Sequence, residues 1–143
     1  MTVNDILLQK GIQVFTIEPT ATLAVAVRIL AQRRIGALVV TGADHRIVGI
    51  ISERDIVRML HEKATAVLDV PVADVMTRKV VTCSRNETIA EIMERMTGGK
   101  FRHIPVVERG RLAGIVSIGD VVKARLSELE YEQDALREYI RTA

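Results

Sequence analysis

Short apolar runs alternate along the chain with amphipathic stretches, and this order occurs twice. In the first half, aliphatic and β-branched runs occupy residues 14–17, 37–40 and 47–52, and an amphipathic stretch occupies residues 22–33. The runs are apolar throughout rather than alternating with polar residues, which is typical of strands that helices cover on both faces. A further amphipathic stretch follows residue 52. The pattern therefore predicts strand, helix, strand, strand and helix.

The second half repeats this order, with apolar runs at residues 80–83, 104–107 and 112–117 and an amphipathic stretch at residues 88–96. Both amphipathic stretches place apolar residues at i, i+4 and i+7, which turns one helix face toward a core. These residues are Leu23, Val27 and Leu30 in the first half and Ile89, Met93 and Met96 in the second. A half of about 50 residues buries too little surface to be stable alone, so the halves are expected to pack sheet to sheet around a pseudo-twofold axis. We predict an α/β fold, of the α+β type, built from these two repeats.

The chain is expected to form a single module over residues 1–143. We divide it into a first repeat at residues 7–62, a linker at 63–73, a second repeat at 74–126 and a C-terminal helical tail at 127–143. Apolar residues near the end recur with alternating four- and three-residue spacing, as in a heptad pattern. They are Val122, Leu126, Leu129, Leu136 and Ile140. Two interpretations stay open, because this helix could pack on its own domain or contribute to a homodimer contact.

Composition and charge restrict the classes of partner. The 143 residues include 20 basic and 18 acidic side chains, the two signs are interspersed, and the formal net charge is +2. This balance gives no long-range field that would favour nucleic acid. The two Phe and two Tyr residues are too scattered to form a stacking platform for bases. We therefore expect no nucleic-acid partner.

No apolar run reaches the length of about 18 residues that a membrane span needs, and the N-terminus lacks a signal-peptide pattern. We expect a cytoplasmic protein without a membrane contact. The single cysteine, Cys83, lies at a predicted strand end and is expected to fill a small space in a core, since one cysteine forms no internal disulfide. His45 and His61 lack the neighbours that metal ligation needs, so no metal is expected.

Two motifs indicate a family. Each half ends in Gly, two apolar residues and Ser-x-x-Asp, and the second half contains Arg-His-Ile-Pro-Val-Val at residues 102–107. In these motifs and in the doubled unit, residues 7–126 resemble a pair of cystathionine-β-synthase (CBS) domains, also called a Bateman module, as in stand-alone bacterial CBS-pair proteins. The resemblance implies two clefts between the repeats that bind an adenine ligand such as AMP, ADP, ATP, S-adenosylmethionine or NAD(H). It also implies a homodimer built from the helices after Ser52 and Ser117.

The resemblance further implies which residues bind the ligand. The aspartate of each Ser-x-x-Asp motif accepts hydrogen bonds from ribose hydroxyls and shares its cleft with strands of the other half. The helix start beside the serine favours a phosphate. The first site would contain Ser52, Arg54, Asp55, Val80, Val81, Arg102 and His103. The second site would contain Ser117, Gly119, Asp120, Ile12, Val14, Ile35 and Gly36.

Ser-x-x-Asp before an apolar helix is also close to a capping box. One copy would favour capping alone, whereas two matched copies favour a ligand site, and the two roles are compatible. Three charged or titratable residues of the first site have uncharged counterparts in the second; the pairs are Arg54 and Gly119, Arg102 and Ile35, and His103 and Gly36. We therefore predict that the Asp55 cleft binds a polyphosphate and that the Asp120 cleft is weaker, empty or suited to a less charged group.

Three classes of function can be compared. The leading hypothesis is a regulatory module for energy or redox sensing, which binds an adenine nucleotide and transmits its ligand state to an unidentified protein partner. An enzyme such as a nucleotide hydrolase is disfavoured, because the sequence contains no Ser-His-Asp arrangement, flanked carboxylate pair or phosphate-binding glycine loop. Gly98-Gly99-Lys100 is interpreted as a helix C-cap. The alternative is a non-catalytic dimerisation scaffold with vestigial clefts.

Overall fold

The computed structural model describes residues 1–142 of the chain. Its strands are β1 (Thr16–Ile17), β2 (Ala37–Thr41), β3 (Ile47–Ser52), β4 (His103–Glu108) and β5 (Arg111–Ser117). Its α-helices are α1 (Val3–Lys10), α2 (Leu23–Arg33), α3 (Glu53–Lys63), α4 (Ile89–Gly99) and α5 (Ile118–Thr142). A 3-10 turn, Ala43–His45, joins β2 to β3, and two more, Ala64–Asp69 and Val72–Asp74, follow α3. The predicted α/β class with two repeats and a C-terminal helix is confirmed.

Each repeat contains its own small sheet. In the first repeat, β1 pairs in parallel with β2, and β2 pairs antiparallel with β3. In the second repeat, β4 pairs antiparallel with β5. The strand predicted at residues 80–83 is reduced to one parallel bridge between Cys83 and Val106. This part of the prediction is wrong because the chain before Cys83 leaves the sheet, and Val80 and Val81 line a cleft instead.

Each repeat also has its own apolar core. The first core contains Leu23, Ala26 and Leu30 of α2, and the second contains Ile89, Ile92 and Met96 of α4. Both helices therefore bury residues at i, i+3 and i+7, not at the predicted i, i+4 and i+7. Val27 is 38% exposed, whereas Ala26 is fully buried. The two spacings lie on one face of a helix, and packing against the sheet decides between them.

The cysteine prediction is confirmed. Cys83 is buried in the second core among apolar residues of the sheet and α4. Burial, with a smaller contribution from the negative charge of Glu87, raises the pKa of the Cys83 thiol to about 12. The thiol therefore stays protonated at neutral pH and acts as a small apolar group.

The two halves exchange the segments that precede their sheets. Helix α1 contributes Val3, Ile6 and Leu7 to the core of the second repeat. Residues 72–76 in turn contribute Val72 and Met76 to the core of the first repeat. The sequence analysis did not predict α1, and it treated part of the second segment as a linker. Each core is therefore completed by a segment from the other half of the chain.

Backbone hydrogen bonds and two glycines fix this exchange. The amides of Val3 and Asn4 donate to carbonyls at residues 87 and 85, both over 2.9 Å, and Thr77 forms two 2.9 Å bonds with Ile50 of β3. Leu7 packs on Gly114 of β5, and Met76 packs on Gly49 of β3. A β-carbon at either glycine would collide with these side chains, so the motif glycines allow the exchanged segments to approach the sheets closely.

Helix α5 continues without a break from the second repeat to Thr142, and the last residue of the predicted tail, Ala143, lies outside the described residues. Its buried side carries Val121 and Ala124. The apolar residues of the heptad-like stripe are exposed by 43% to 66%; they are Val122, Leu126, Leu129, Leu136 and Ile140. The stripe is thus largely uncovered in a single chain, and its contribution to a homodimer contact stays a prediction. Within residues 1–142, no helix is both long and apolar enough to cross a membrane.

Candidate functional site

The first turn of α3 fixes the carboxylate of Asp55. Ser52 is the N-cap residue, and its hydroxyl oxygen accepts a hydrogen bond of 3.2 Å from the Asp55 amide. In return, Oδ2 of Asp55 accepts bonds from the amide and the hydroxyl of Ser52, over 3.0 and 2.9 Å. The capping box that the Ser-x-x-Asp motif resembles is therefore present at the start of α3.

Asp55 is unusual because it is buried. Its exposed fraction is 8%, and it is the one charged residue of residues 1–142 in the buried class. A buried carboxylate needs partners for each oxygen. The capping box holds Oδ2, and Arg58 donates to Oδ1 over 2.5 Å. The Arg58 side chain is 63% exposed, so a ligand hydroxyl can replace it at Oδ1 while the capping box remains intact.

A cavity of about 750 Å³ opens beside Asp55, which is a typical size for a small-molecule site. It lies between the halves and is bordered by the start of α3, the chain before Cys83 and the start of β4. All seven residues predicted for the first site line it: Ser52, Arg54, Asp55, Val80, Val81, Arg102 and His103. The structure thus brings this set together. That the set binds a nucleotide stays a prediction.

Further cations surround this cleft, and sequence reasoning missed them. Arg58, Lys79 and Lys100 also line the cavity. Arg54 donates a 3.3 Å bond to the carbonyl of Lys100, which links the two sides of the cleft. A signal for Lys79 does exist, since it follows Val72-Ala73-Asp74 at the spacing at which Lys10 follows Val3-Asn4-Asp5. The excess of positive charge suits a phosphorylated ligand.

The imidazole of His103 is neutral near pH 7, whereas the sequence comparison counted it among the charged or titratable groups of the first site. Burial lowers its pKa below the ordinary value, and the positive charges of Lys10 and Arg102 act in the same direction. The carboxylates of Glu53 and Asp120 oppose this shift but do not cancel it. Near pH 7 the ring is therefore neutral and offers a hydrogen bond rather than a charge.

The second predicted site is already occupied by a side chain of the protein. Lys10 Nζ donates to Oδ2 of Asp120 over 2.7 Å and to the carbonyl of Ile115 over 2.9 Å. The same oxygen of Asp120 accepts a 2.9 Å bond from the Ser117 amide, and the Ser117 hydroxyl accepts a 3.2 Å bond from the Asp120 amide. Asp120 thus forms a capping box with Ser117, as Asp55 does with Ser52, but its cationic partner, Lys10, comes from the exchanged helix α1.

The structure places the other residues predicted for the second site in varied surroundings, and their role beside Asp120 stays a prediction. Gly36 lines the Asp55 cavity beside the ring of His103, and its assignment to the second site stays a prediction. Ile35 packs against the first core, and Ile12 is exposed. Val14 is half-buried and Gly119 is exposed. The asymmetry between the clefts stays a prediction, and the ion pair of Lys10 with Asp120 adds a reason for it that the sequence did not suggest.

The Lys10–Asp120 pair leads to a pH-dependence prediction. Burial opposes ionisation of Asp120, but the hydrogen bonds from Lys10 and Ser117 outweigh it, and the pKa of this carboxyl lies below its ordinary value. The ionised form therefore stabilises the fold above about pH 4, and this contribution is lost as the pH falls through the folded-state pKa. We expect Lys10→Met to lower the free energy of unfolding by about 1 kcal/mol at pH 7 and by less at pH 3.

Denaturant unfolding at the two pH values measures this difference. Lys79→Met is the matched control, because Lys79 has the same position in the other repeat and forms no ion pair within residues 1–142. An equal loss at pH 7 and pH 3 in Lys10→Met would contradict the assignment.

Comparison with known proteins gives the family. The model of the CBS domain matches residues 3–62 and 72–127, one match in each repeat. The chain belongs to the CBS domain family. The resemblance to a CBS-domain pair is thus confirmed, and both CBS matches include the segments that the two halves exchange.

Two curated relatives match about four fifths of this chain. The mitochondrial CBS domain-containing protein CBSX3 of Arabidopsis thaliana is 37% identical over 120 residues, which is 81% of this chain and 58% of that protein. An uncharacterized 17.7 kDa protein of Acidianus ambivalens is 35% identical over 115 residues, which is 80% of this chain and 68% of that protein. The chain spans about three fifths to two thirds of these relatives.

Solved CBS structures share the fold. The CBS-domain containing protein ATU1752 from Agrobacterium tumefaciens is 49% identical with a TM-score of 0.84, covering 87% of this chain and 92% of its own. PAE2072 from Pyrobaculum aerophilum, solved with AMP, is 28% identical with a TM-score of 0.75 and coverages of 84% and 89%. The CBS pair of MJ0100, solved with 5′-methylthioadenosine and S-adenosyl-L-methionine, is 25% identical with a TM-score of 0.79 and coverages of 90% and 98%.

Proposed function

We propose that this CBS pair is a non-catalytic regulatory module that binds an adenine nucleotide in the Asp55 cleft. One observation carries the proposal. The buried carboxylate of Asp55 lies beside a cavity of about 750 Å³, and its Oδ1, which the capping box does not use, is bonded among the described residues only to the exposed Arg58. The relatives solved with AMP and with S-adenosyl-L-methionine support an adenine-containing ligand.

The cleft offers a separate contact for each part of a nucleotide. Oδ1 of Asp55 accepts from the ribose hydroxyls once Arg58 moves away. Arg54 and Arg102 donate to the phosphates, which the positive end of the α3 helix dipole also favours. Val80 and Val81 form apolar walls for the adenine, and backbone groups supply its hydrogen bonds. The proposal includes no second nucleotide at Asp120, since Lys10 already neutralises that carboxylate.

A regulatory role requires that binding change a surface that another molecule contacts. The exposed stripe on α5 and Val57 on α3, which is 65% exposed, support a homodimer formed through the helices after Ser52 and Ser117. A ligand beside the start of α3 would change the packing of that helix, and a protein partner would detect the change. A binder of adenine nucleotides acts where they are present, so we also propose a cytoplasmic location.

A ligand panel in thermal unfolding tests the proposal. The chain, freed of copurified nucleotide, is unfolded with AMP, ADP, ATP, NAD, NADH or S-adenosylmethionine. A ligand at about 100 times its Kd stabilises the fold by about 2.7 kcal/mol, which raises Tm by roughly 5 to 10 °C. No shift with any member would leave the fold in place and favour the scaffold with vestigial clefts.

A further inference from the structure

A second cavity, of about 740 Å³, lies at the turns of the two β-hairpins. Asp44, Arg46 and Ile47 line it from the β2–β3 turn, and the β4–β5 turn lines it from the other repeat. Four arginines are among its lining residues, and we call this cavity the arginine pocket, after Arg46, Arg78, Arg109 and Arg111. Nothing in the proposed adenine site uses these residues.

The four arginines lack acidic partners. None of them forms an ion pair within the described part of the chain, and Arg78 donates one 2.9 Å bond to the carbonyl of Ala73. Asp44 is the single carboxylate of the lining. The neighbouring Glu108 is engaged by Arg85 over 3.1 Å. An excess of three positive charges therefore remains, and an external anion would relieve its repulsion.

The repeat places two of these arginines as a symmetric pair. Arg46 and Arg111 are separated in sequence by the same number of residues as Asp55 and Asp120, so they hold the same position in the two repeats. Because both line one cavity, the pseudo-twofold axis passes between them. Two guanidinium groups related in this way suit a ligand that presents the same anionic group more than once.

We propose that the arginine pocket binds an oligophosphate, meaning a chain of two or more phosphoryl groups that is either inorganic or the tail of a nucleotide. A guanidinium donates two parallel hydrogen bonds to phosphate oxygens, so four of them serve several phosphoryl groups. The pocket differs from the Asp55 cleft because its lining contains no buried carboxylate that could accept from a ribose. Recognition therefore depends on the phosphates and not on a base.

The arginine pocket and the Asp55 cleft share one wall. Lys79 and Val81 line the Asp55 cleft, Arg78 and Thr82 line the arginine pocket, and Val80 lines both. The alternation indicates an extended segment whose two sides border different sites. Apart from Val80, the two sites use different side chains of this segment, and the proposal does not rest on adenine binding at Asp55.

Calorimetric titration with tripolyphosphate tests the proposal on the full chain. We expect Arg46→Gln combined with Arg111→Gln to weaken binding at least tenfold. The matched control combines Arg28→Gln with Arg137→Gln, which removes the same charge from two exposed arginines outside the pocket. The control should stay within about twofold of the wild type, because distant surface charges are screened by salt. A second pocket pair, Arg78→Gln with Arg109→Gln, repeats the test if the first pair unfolds.

Titrations with ATP and AMP distinguish an inorganic oligophosphate from the phosphate tail of a nucleotide. If the pocket variants weaken ATP but leave AMP unchanged, the ligand is a nucleotide tail. If they weaken tripolyphosphate alone, the ligand is inorganic. The proposal is overturned if tripolyphosphate does not bind, if pocket and control pairs lose affinity equally, or if a short RNA binds the pocket while tripolyphosphate does not.

Discussion

We expect Asp55→Ala to remove the rise in melting temperature that the proposed AMP binding produces, and Asp120→Ala to retain it. Asp55 offers an oxygen whose present partner is a solvent-exposed arginine, whereas the charge of Asp120 is already neutralised by Lys10, whose Nζ lies 2.7 Å from Oδ2. A hydrogen bond to a charged group contributes about 1.5–3 kcal/mol, so the AMP affinity of Asp55→Ala should fall by tenfold or more. Thermal unfolding with and without AMP measures the change.

The two variants are matched controls for each other, because each loses one capping box. Both should be destabilised without ligand by about 1 kcal/mol, so the AMP-induced shift is compared with each variant's own melting temperature. Loss of the shift in Asp120→Ala alone would place the nucleotide in the other cleft. Loss of the AMP-induced shift in both variants would mean that AMP binding depends on both aspartates. This result would contradict the asymmetry argued from the charges.

Leu7→Ala lowers the free energy of unfolding by about 2–5 kcal/mol, the largest stability change that we expect. Leu7 is 2% exposed in the core of the second repeat and packs on Gly114. Its truncation leaves a cavity between α1 and β5. Urea unfolding followed by circular dichroism measures the change.

The next residue of the same helix supplies the control. Leu8 is 75% exposed, so Leu8→Ala should change the stability by no more than about 0.5 kcal/mol. The two variants have the same change in composition and nearly the same helix propensity. Equal effects would show that α1 does not pack into the second core.

The sequence was sufficient for features that depend on local pattern. The repeated order of apolar runs predicted the two sheets and the helices after Ser52 and Ser117, because strand and helix periods are set by neighbours a few positions apart. The repeated Ser-x-x-Asp motif allowed a capping box in each repeat, although its two copies were interpreted chiefly as ligand sites. The crossing of the halves, taken from the family resemblance, predicted that Asp55 and His103 would line the same cleft, and both do.

The features that were missed depend on contacts between distant parts of the chain. Helix α1 has only eight residues, too few to be stable alone, and its core lies in the other half. Lys10 and Asp120 are 110 positions apart, so no local pattern relates them. Val80 and Val81 have the composition of a strand, but the cleft between the halves takes them out of the sheet. In each case tertiary packing overrode local preference.

The exchange of segments between the halves has a consequence for biosynthesis. A ribosome releases α1 before the second repeat, yet the amide of Ile89 bonds to the carbonyl of Met1 and the amide of Val3 bonds to the carbonyl of Glu87. At about 5–20 residues per second, the core residues near position 120 that α1 packs against are made roughly 5 to 20 s later. During this interval the apolar face of α1 has no native partner. Helix α1 is therefore made before the core that it completes and reaches its native position late.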